Sequence, residues 1–399
     1  MRVTRVATAL LQGNFEWLLV RVETDAGITG LGEAPWGAGV EDAVHRLGAQ
    51  IVGGDARDID RLWRRMYLST SGVPWAGAVV AAANGIETAL FDALGRQSGL
   101  PIYRLLGGRY RDRVRVYADC HAGRLEDGAA AVTDRAGEGW HDTYAPDADY
   151  RPEAYARRAI WAVSRGFDAI KFDLDVPTEL ERDPHNRVLG NEHLDRLVAI
   201  VAAIRSAVGR GIDVAFDCHW HFDVHSAIRL ARALEPFDLL WLEDPVPPEN
   251  PTAMAQVARA TSTPICTGEN LYLRQPFRQL LDAGAADIVE PDFPRSGGFL
   301  EFRRIADLAD EWYVPVAPHN VGSPIATLGA VHMAAAIPNF LALEFHAIDV
   351  PWWKDLVTGD AATIIDGHLR VPEGPGLGVE LDEDVGRSHL KAGSSWFGS

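Results

Sequence analysis

The sequence predicts an α/β protein in which a parallel (β/α) barrel is joined to a smaller α+β unit. Three observations lead there. The first hundred or so residues place strands before a block of helices, whereas from residue 114 onward short β-branched runs alternate with amphipathic helical segments. Eight such runs can be counted, the number that closes a barrel. A chain of 399 residues is too long for one ordinary core but suits a barrel with a partner domain.

Residues 1–24 read as two strands, the second ending at the turn signal Asp25-Ala26-Gly27, and a third short strand is expected over 28–33. Helices follow over 40–51, 58–69 and the Ala-rich 76–98, and Gly107-Gly108 closes the unit. The eight barrel strands are expected at 114–118, 169–172, 214–216, 239–242, 265–267, 288–289, 314–317 and 341–343. Two connections after strands are over-long, 120–150 and 174–190, and loops after barrel strands lie on the catalytic face. His121 and His141 fall on the first of them and receive no role. The expected domains are an α+β capping domain over 1–112, the barrel over 113–350, and a C-terminal segment over 351–399 that packs back on the cap.

A formal net charge of −18 argues against nucleic acid or an anionic membrane as partner, though not against an anionic substrate, because a metal or a few basic groups set the local field of a site. Cys120, Cys218 and Cys266 are an odd, widely spaced set with no disulfide framework, so a reducing cytoplasm is expected. The N-terminus lacks the marks of a signal peptide, and no apolar run is expected to cross a bilayer. Gly107-Gly108 and Gly297-Gly298 lack the companions of a phosphate or dinucleotide cradle; the second pair reads as a helix start.

The strongest signal is a spacing. Asp217, Glu243, Glu269, Asp292, His319 and Glu344 are each expected just past the end of a strand, at intervals of 26, 26, 23, 27 and 25 residues. One βα unit occupies about 25 residues, so the six converge on one end of the barrel. Taken singly, each reads as a helix N-cap or a surface acid; taken in register, they form a ring of carboxylates, which demands a cation. Asp217, Glu243 and Glu269 come from consecutive strands, and three hard oxygen donors favour Mg²⁺ over Zn²⁺.

The same residues carry a family resemblance over nearly the whole chain. Lys171-Phe172-Asp173, Asp217-Cys218-His219, Leu242-Glu243-Asp244-Pro245, Thr267-Gly268-Glu269-Asn270, Pro291-Asp292, Ala317-Pro318-His319-Asn320, Leu343-Glu344 and the tail Gly374-Pro375-Gly376-Leu377-Gly378-Val379 resemble the mandelate racemase branch of the enolase superfamily. The resemblance implies a modified TIM barrel of (β/α)7β type, an N-terminal capping domain completed by the C-terminal tail, and Asp217, Glu243 and Glu269 as Mg²⁺ ligands. A homo-oligomer, between dimer and octamer, is expected.

The chemistry expected of such a site is removal of the weakly acidic proton beside a carboxylate, with the metal stabilising the enediolate and a Lys or His as base. His319 is the candidate base, oriented by Asp292; Glu344 and Lys171 are candidates to meet the substrate carboxylate. His219, two residues past Asp217, is the candidate acid, because hydroxide is a poor leaving group and strand alternation would aim both residues alike. Racemases of the branch carry a second lysine where this chain has Asp173, and its galactonate- and gluconate-type dehydratases carry a His at the position of His219. The reading is therefore a dehydratase taking a small-molecule acid sugar to a 2-keto-3-deoxy acid. The alternatives are a racemase or epimerase on the same scaffold, or a non-catalytic sugar-acid-binding protein. The chain departs from the dehydratase pattern at His219-Trp220-His221, often His-Gly-Arg, and at Asn270, often Arg, so the pocket is reshaped. Asp173, Asn270, His221 and Trp75 are candidate substrate contacts, and segments 12–17 and 69–75, with Trp17 and Trp75, are expected to wall the pocket.

Overall fold

The computed structural model describes residues 1–70, 75–120, 150–175 and 186–398. His121, His141 and most of the two long loops lie outside them. The chain opens with β1 (Val3–Gln12), β2 (Glu16–Thr24) and β3 (Thr29–Pro35), an antiparallel sheet in that order. Helices α1 (Val40–Ile51), α2 (Ile59–Ser69) and α3 (Ala78–Ser98) complete the unit. Helix α3 lies directly on β3 because Gly30 and Gly32 have no side chains. A Cβ at Gly30 would sit 1.9 Å from the Ala89 carbonyl, and one at Gly32 would sit 2.1 Å from that of Gly85. By length and hydropathy alone α3 could cross a bilayer, which corrects the expectation from sequence; its apolar surface is instead spent inside the fold, with 83% of the apolar window buried.

After the short α4 (Ile102–Leu105), the barrel runs through β4 (Arg113–Asp119), β5 (Ala169–Asp173), β6 (Asp213–Asp217), β7 (Leu242–Glu243), β8 (Ile265–Thr267), β9 (Ile288–Val289) and β10 (Leu343–Phe345). All pair in parallel, and β10 pairs with β4 to close the ring. The place between β9 and β10 is held by Val316 alone, bridged to Val289 and Phe340. The expected strand over 314–317 is cut short because Pro315 and Pro318 have no N–H to donate, although their carbonyls accept from Val289 at 3.1 Å and Glu344 at 3.1 Å. Helices α5 (Pro152–Ser164), α6 (Asn191–Val208), α7 (Val224–Leu234), α8 (Pro251–Ala258), α9 (Arg274–Ala283), α10 (Phe299–Glu311) and α11 (Pro324–Ala336) follow the first seven positions, and turns follow β10. This is the (β/α)7β arrangement.

The tail touches both parts. Strand β11 (His368–Arg370) adds antiparallel to β4. Farther on, beyond α12 (Glu383–Ser388), the Gln12 N–H donates to the His389 carbonyl and the Lys391 N–H to that of Leu10, each at 2.9 Å. The first unit is clasped to the barrel by two buried carboxylates. Glu33 of β3 accepts from the N–H groups of Ser323 at 3.0 Å and Ala326 at 3.1 Å and from the Ser323 hydroxyl, at the start of α11. Glu87 of α3 accepts from the N–H groups of Phe299 at 2.8 Å and Leu300 at 3.1 Å, at the start of α10. Each carboxyl meets unsatisfied donors at the positive end of a helix, which offsets part of the burial that pushes Glu33 up to about 7 and Glu87 up to about 8.

His332 of α11 joins the same seam. Its Nε2–H donates to the Leu377 carbonyl at 3.1 Å, and its Nδ1 accepts from the Tyr103 N–H at 3.4 Å. That pattern requires a neutral ring, and burial pushes its pKa down to about 4. The unfolded ring titrates near 6.5, so the folded state resists a proton that the unfolded state accepts. Stability from this residue is whole above about pH 6.5 and drains away toward pH 4. His332→Leu leaves two backbone groups unpaired and should cost roughly 1–3 kcal/mol at pH 7.5. Thermal unfolding of both proteins from pH 7.5 to 4.5 should show the gap narrowing with acid, because only the wild type carries the proton penalty. A gap that stays constant over that range would mean the ring is not held neutral.

Candidate active site

The barrel interior is filled by one buried residue from each of its eight positions: Tyr117, Ala169, Ala215, Trp241, Cys266, Ile288, Ala317 and Ala342. Two residues farther along every strand, alternation returns to the interior. Those positions are Asp119, Lys171, Asp217, Glu243, Gly268, Glu290, His319 and Glu344. All but the glycine are buried polar groups. A dry plug thus supports a charged layer at the ends of the strands, where active sites of this architecture sit.

Lys171 is the cation of that layer. Its Nζ lies 2.8 Å from Glu243, 2.8 Å from Glu344 and 3.5 Å from Asp217. Burial alone would strip its proton, but the surrounding acids outweigh it and hold the pKa well above the ordinary value. One lysine does not balance the acids present. Carboxylate oxygens of Asp217, Glu243 and Glu269 lie within 4.8 Å of one another, a span one hard cation bridges with oxygen ligands at roughly 2.1–2.5 Å. Burial, and then Asp217 and Glu290, push the Glu243 carboxyl well above its usual range. Trp241 Nε1–H donates at 2.8 Å to the Glu243 oxygen that Lys171 does not hold, which fixes the rotamer. Three convergent oxygen donors without a thiolate fit a divalent cation.

Two imidazoles flank the triad. His319 has Nδ1 at 2.5 Å from Asp292, while its Nε2 lies 2.9 Å from Glu269 and 3.5 Å from Glu344. Burial would lower its pKa, but Glu344, Glu269 and Asp292 together hold it well above the ordinary value. Glu344, like Asp217 in β6 and Glu243 in β7, sits within its strand rather than past it, and its second oxygen accepts from the Asn320 N–H at 2.8 Å. On the other side, His219 has Nδ1 at 3.0 Å from Asp175 and Nε2 at 3.3 Å from Asp217. Strand alternation does not explain its aim, because β6 ends at Asp217 and both His219 (φ 39°) and Trp220 (φ 52°) are left-handed. Asp217 and the Asp244 carbonyl hold this strained turn by accepting the His219 N–H at 2.8 Å and the Trp220 N–H at 2.6 Å.

A cavity of about 130 Å³ opens over this layer, lined by Lys171, Asp173, Asp217, His219, Glu269, Asn270, His319 and Glu344. Asn270 donates to Glu269 at 2.8 Å and accepts from Arg295 at 3.4 Å, so a guanidinium from a neighbouring loop reaches the same wall. His221 and Trp75 do not line the cavity. His221 is turned against Phe222, and Trp75 packs on Trp63 and Tyr67 with ring centroids 4.9 and 4.7 Å away. Trp17 is buried against Trp352 and donates to Asn14. The wall is formed by Phe15 and Trp36, stacked at 5.4 Å, with Trp220 and His346. Residues 71–74 lie outside those described.

Sequence reasoning passed over Asp119, Asp175, Glu290, Arg295 and His346. Asp119, Glu290 and His346 obey the two-residue rule from the plug or from Glu344. Phe15 falls in the segment 12–17 expected to wall the pocket, whereas Trp36 reaches the site only because the cap docks as it does, which no local pattern announces.

This arrangement has relatives. Residues 6–107 match the model of the mandelate racemase/muconate lactonizing enzyme N-terminal domain, and residues 154–385 match that of the enolase C-terminal domain-like family. A D-xylonate dehydratase of Haloferax volcanii is 47% identical over 397 residues, covering 99% of this chain and 90% of that protein. A D-galactonate dehydratase of Xanthomonas oryzae pv. oryzae is 33% identical, with 96% and 93% covered. The crystal structure of a mandelate racemase/muconate lactonizing enzyme-like protein from Rubrobacter xylanophilus superposes with a TM-score of 0.90 at 46% identity, covering 100% of this chain and 99% of that one. With both of its domains matched and its charged layer built on the expected strand ends, the chain belongs to the mandelate racemase/muconate lactonizing enzyme branch of the enolase superfamily.

Proposed function

We propose that this chain is a Mg²⁺-dependent sugar-acid dehydratase, converting an aldonate to its 2-keto-3-deoxy acid. One observation carries the reading: two imidazoles, each with Nδ1 on a buried aspartate, stand on either side of one carboxylate triad. Elimination of water needs one base and one acid, and the pair supplies both. A racemase needs a strong base on each face, and Asp173 at that place is a weak one for a carbon acid. The likeness to a D-xylonate and a D-galactonate dehydratase supports the same choice.

In this reading Asp217, Glu243 and Glu269 hold the ion, which when bound neutralises the negative charge that builds on the substrate carboxylate as its α-proton leaves. His319 Nε2 takes that proton, and Asp292 keeps the ring in the tautomer that leaves Nε2 to receive it. Lys171, between Glu243 and Glu344, is placed to meet a carboxylate oxygen, with Glu344 on its far side. The electron pair of the C–H bond becomes the new double bond, the β-hydroxyl leaves as water with a proton from His219, and the enol then tautomerises to the keto acid. Asp173 and Asn270 line the pocket and contact substrate hydroxyls. The free, buried cysteines suit a reducing cytoplasm, and the assembly proposed is a homo-oligomer.

A panel of aldonates, D-xylonate and D-galactonate among them, should yield 2-keto acid with Mg²⁺, lose it on chelation and regain it on readdition. α-Epimers formed without 2-keto acid would replace dehydration with epimerisation.

The two histidines should separate in D₂O. His319→Asn should abolish both α-deuterium uptake into recovered substrate and product formation. His219→Asn should keep uptake and lower product by about 10²–10⁴-fold, the usual worth of a general acid. Wild-type exchange in His319→Asn would assign the base elsewhere.

A further inference from the structure

The loop after β5 contributes a residue for which the reaction as described has no use. Asp175 is buried, its Oδ1 lies 3.0 Å from His219 Nδ1, and its Oδ2 has no hydrogen-bond partner. A buried carboxylate with a single partner is costly unless that partner is a strong donor. Its place is set by the backbone. Asp173 stands in register with Asp217 across the β5–β6 pair, and the Leu174 N–H donates to the Asp217 carbonyl at 2.7 Å, carrying the pairing one residue past the strand. The ladder that places Asp217 therefore also delivers Asp175 to the back of the His219 ring. The left-handed turn at His219 brings the imidazole to meet it.

Asp175–His219 repeats the geometry of Asp292–His319. In both pairs Nδ1 faces a buried aspartate and Nε2 faces the carboxylates of the triad. We propose that Asp175 is a positioning residue for His219: by accepting Nδ1–H it fixes the ring so that Nε2–H is presented to the leaving β-hydroxyl. The proposal rests on His219 being the acid. Asp175 itself touches no reacting atom. Without it the ring is free to turn about its side-chain torsions and to carry its proton on the wrong nitrogen. Binding of the substrate carboxylate and removal of the α-proton, on the other side of the site, do not pass through it.

The test is a set of four variants assayed on the turned-over aldonate with saturating Mg²⁺. Asp175→Ala should lower kcat for 2-keto acid by roughly 10- to 100-fold, less than loss of the acid itself, with KM within about twofold and α-deuterium uptake retained. Asp175→Asn, whose amide oxygen still accepts from Nδ1–H, should recover part of that loss. The double variant Asp175→Ala with His219→Asn should be no slower than His219→Asn alone, since Asp175 acts only through His219. A purely structural role predicts instead a further loss in the double variant, or α-deuterium uptake falling in step with product; either overturns the proposal. Unchanged product in Asp175→Ala beside an impaired His219→Asn overturns it while leaving the dehydratase reading intact. Unchanged product in His219→Asn removes the acid and the positioning residue together.

Discussion

The structure is governed by the cost of burying carboxylates together. Asp217, Glu243, Glu269, Asp292, Glu290 and Glu344 are buried together with a single lysine, over a plug of buried, mostly apolar side chains. Such a group is tolerable only with cations near it, since each unpaired buried charge costs several kcal/mol. Lys171 supplies one positive charge, Arg295 lies beside Asp292 and Glu269, and a divalent ion held at the triad would offset two further charges. The same shortage of positive charge is what makes the site useful. A substrate that brings a carboxylate and is about to gain more negative charge needs strong, fixed positive charge in a dry place.

The cap solves a second problem. A barrel end crowded with charge must be closed without burying the lid's own polar groups unpaired. Glu33 and Glu87 do this by meeting the first N–H groups of α11 and α10, so two helix termini and two acids satisfy one another across the seam. Once docked, the cap places Phe15 and Trp36 over the charged layer, and Asn14 donates to His346 at 2.8 Å beside them. Chemistry comes from the barrel strands, and shape comes from the cap.

Much of this was legible in the sequence because barrels convert spacing into position. A period near 25 residues brought Asp217, Glu243, Glu269, Asp292, His319 and Glu344 to one face, and the structure places them there. What escaped was tertiary. Pro315 and Pro318 shortened the seventh strand to Val316, which bridges both neighbours while the two prolines take part only as acceptors. His219 reached the site through a left-handed turn instead of strand alternation, and Asp175 became its partner through a register that spans two strands. Trp75 looked like a pocket wall because it is aromatic and near a loop, yet Trp63 and Tyr67 claim it. Segment 12–17 did supply a wall, through Phe15 and not Trp17, while Trp36 carried no local mark at all.

The central claim is that the buried acids form one divalent-metal site. Calorimetric titration of Mg²⁺ into chelator-stripped protein addresses it directly. One ion per chain should bind to the wild type and bind far more weakly to Glu243→Gln, which removes one anionic oxygen donor from the triad and leaves the fold in place. No saturable binding, or binding that Glu243→Gln leaves untouched, would contradict it.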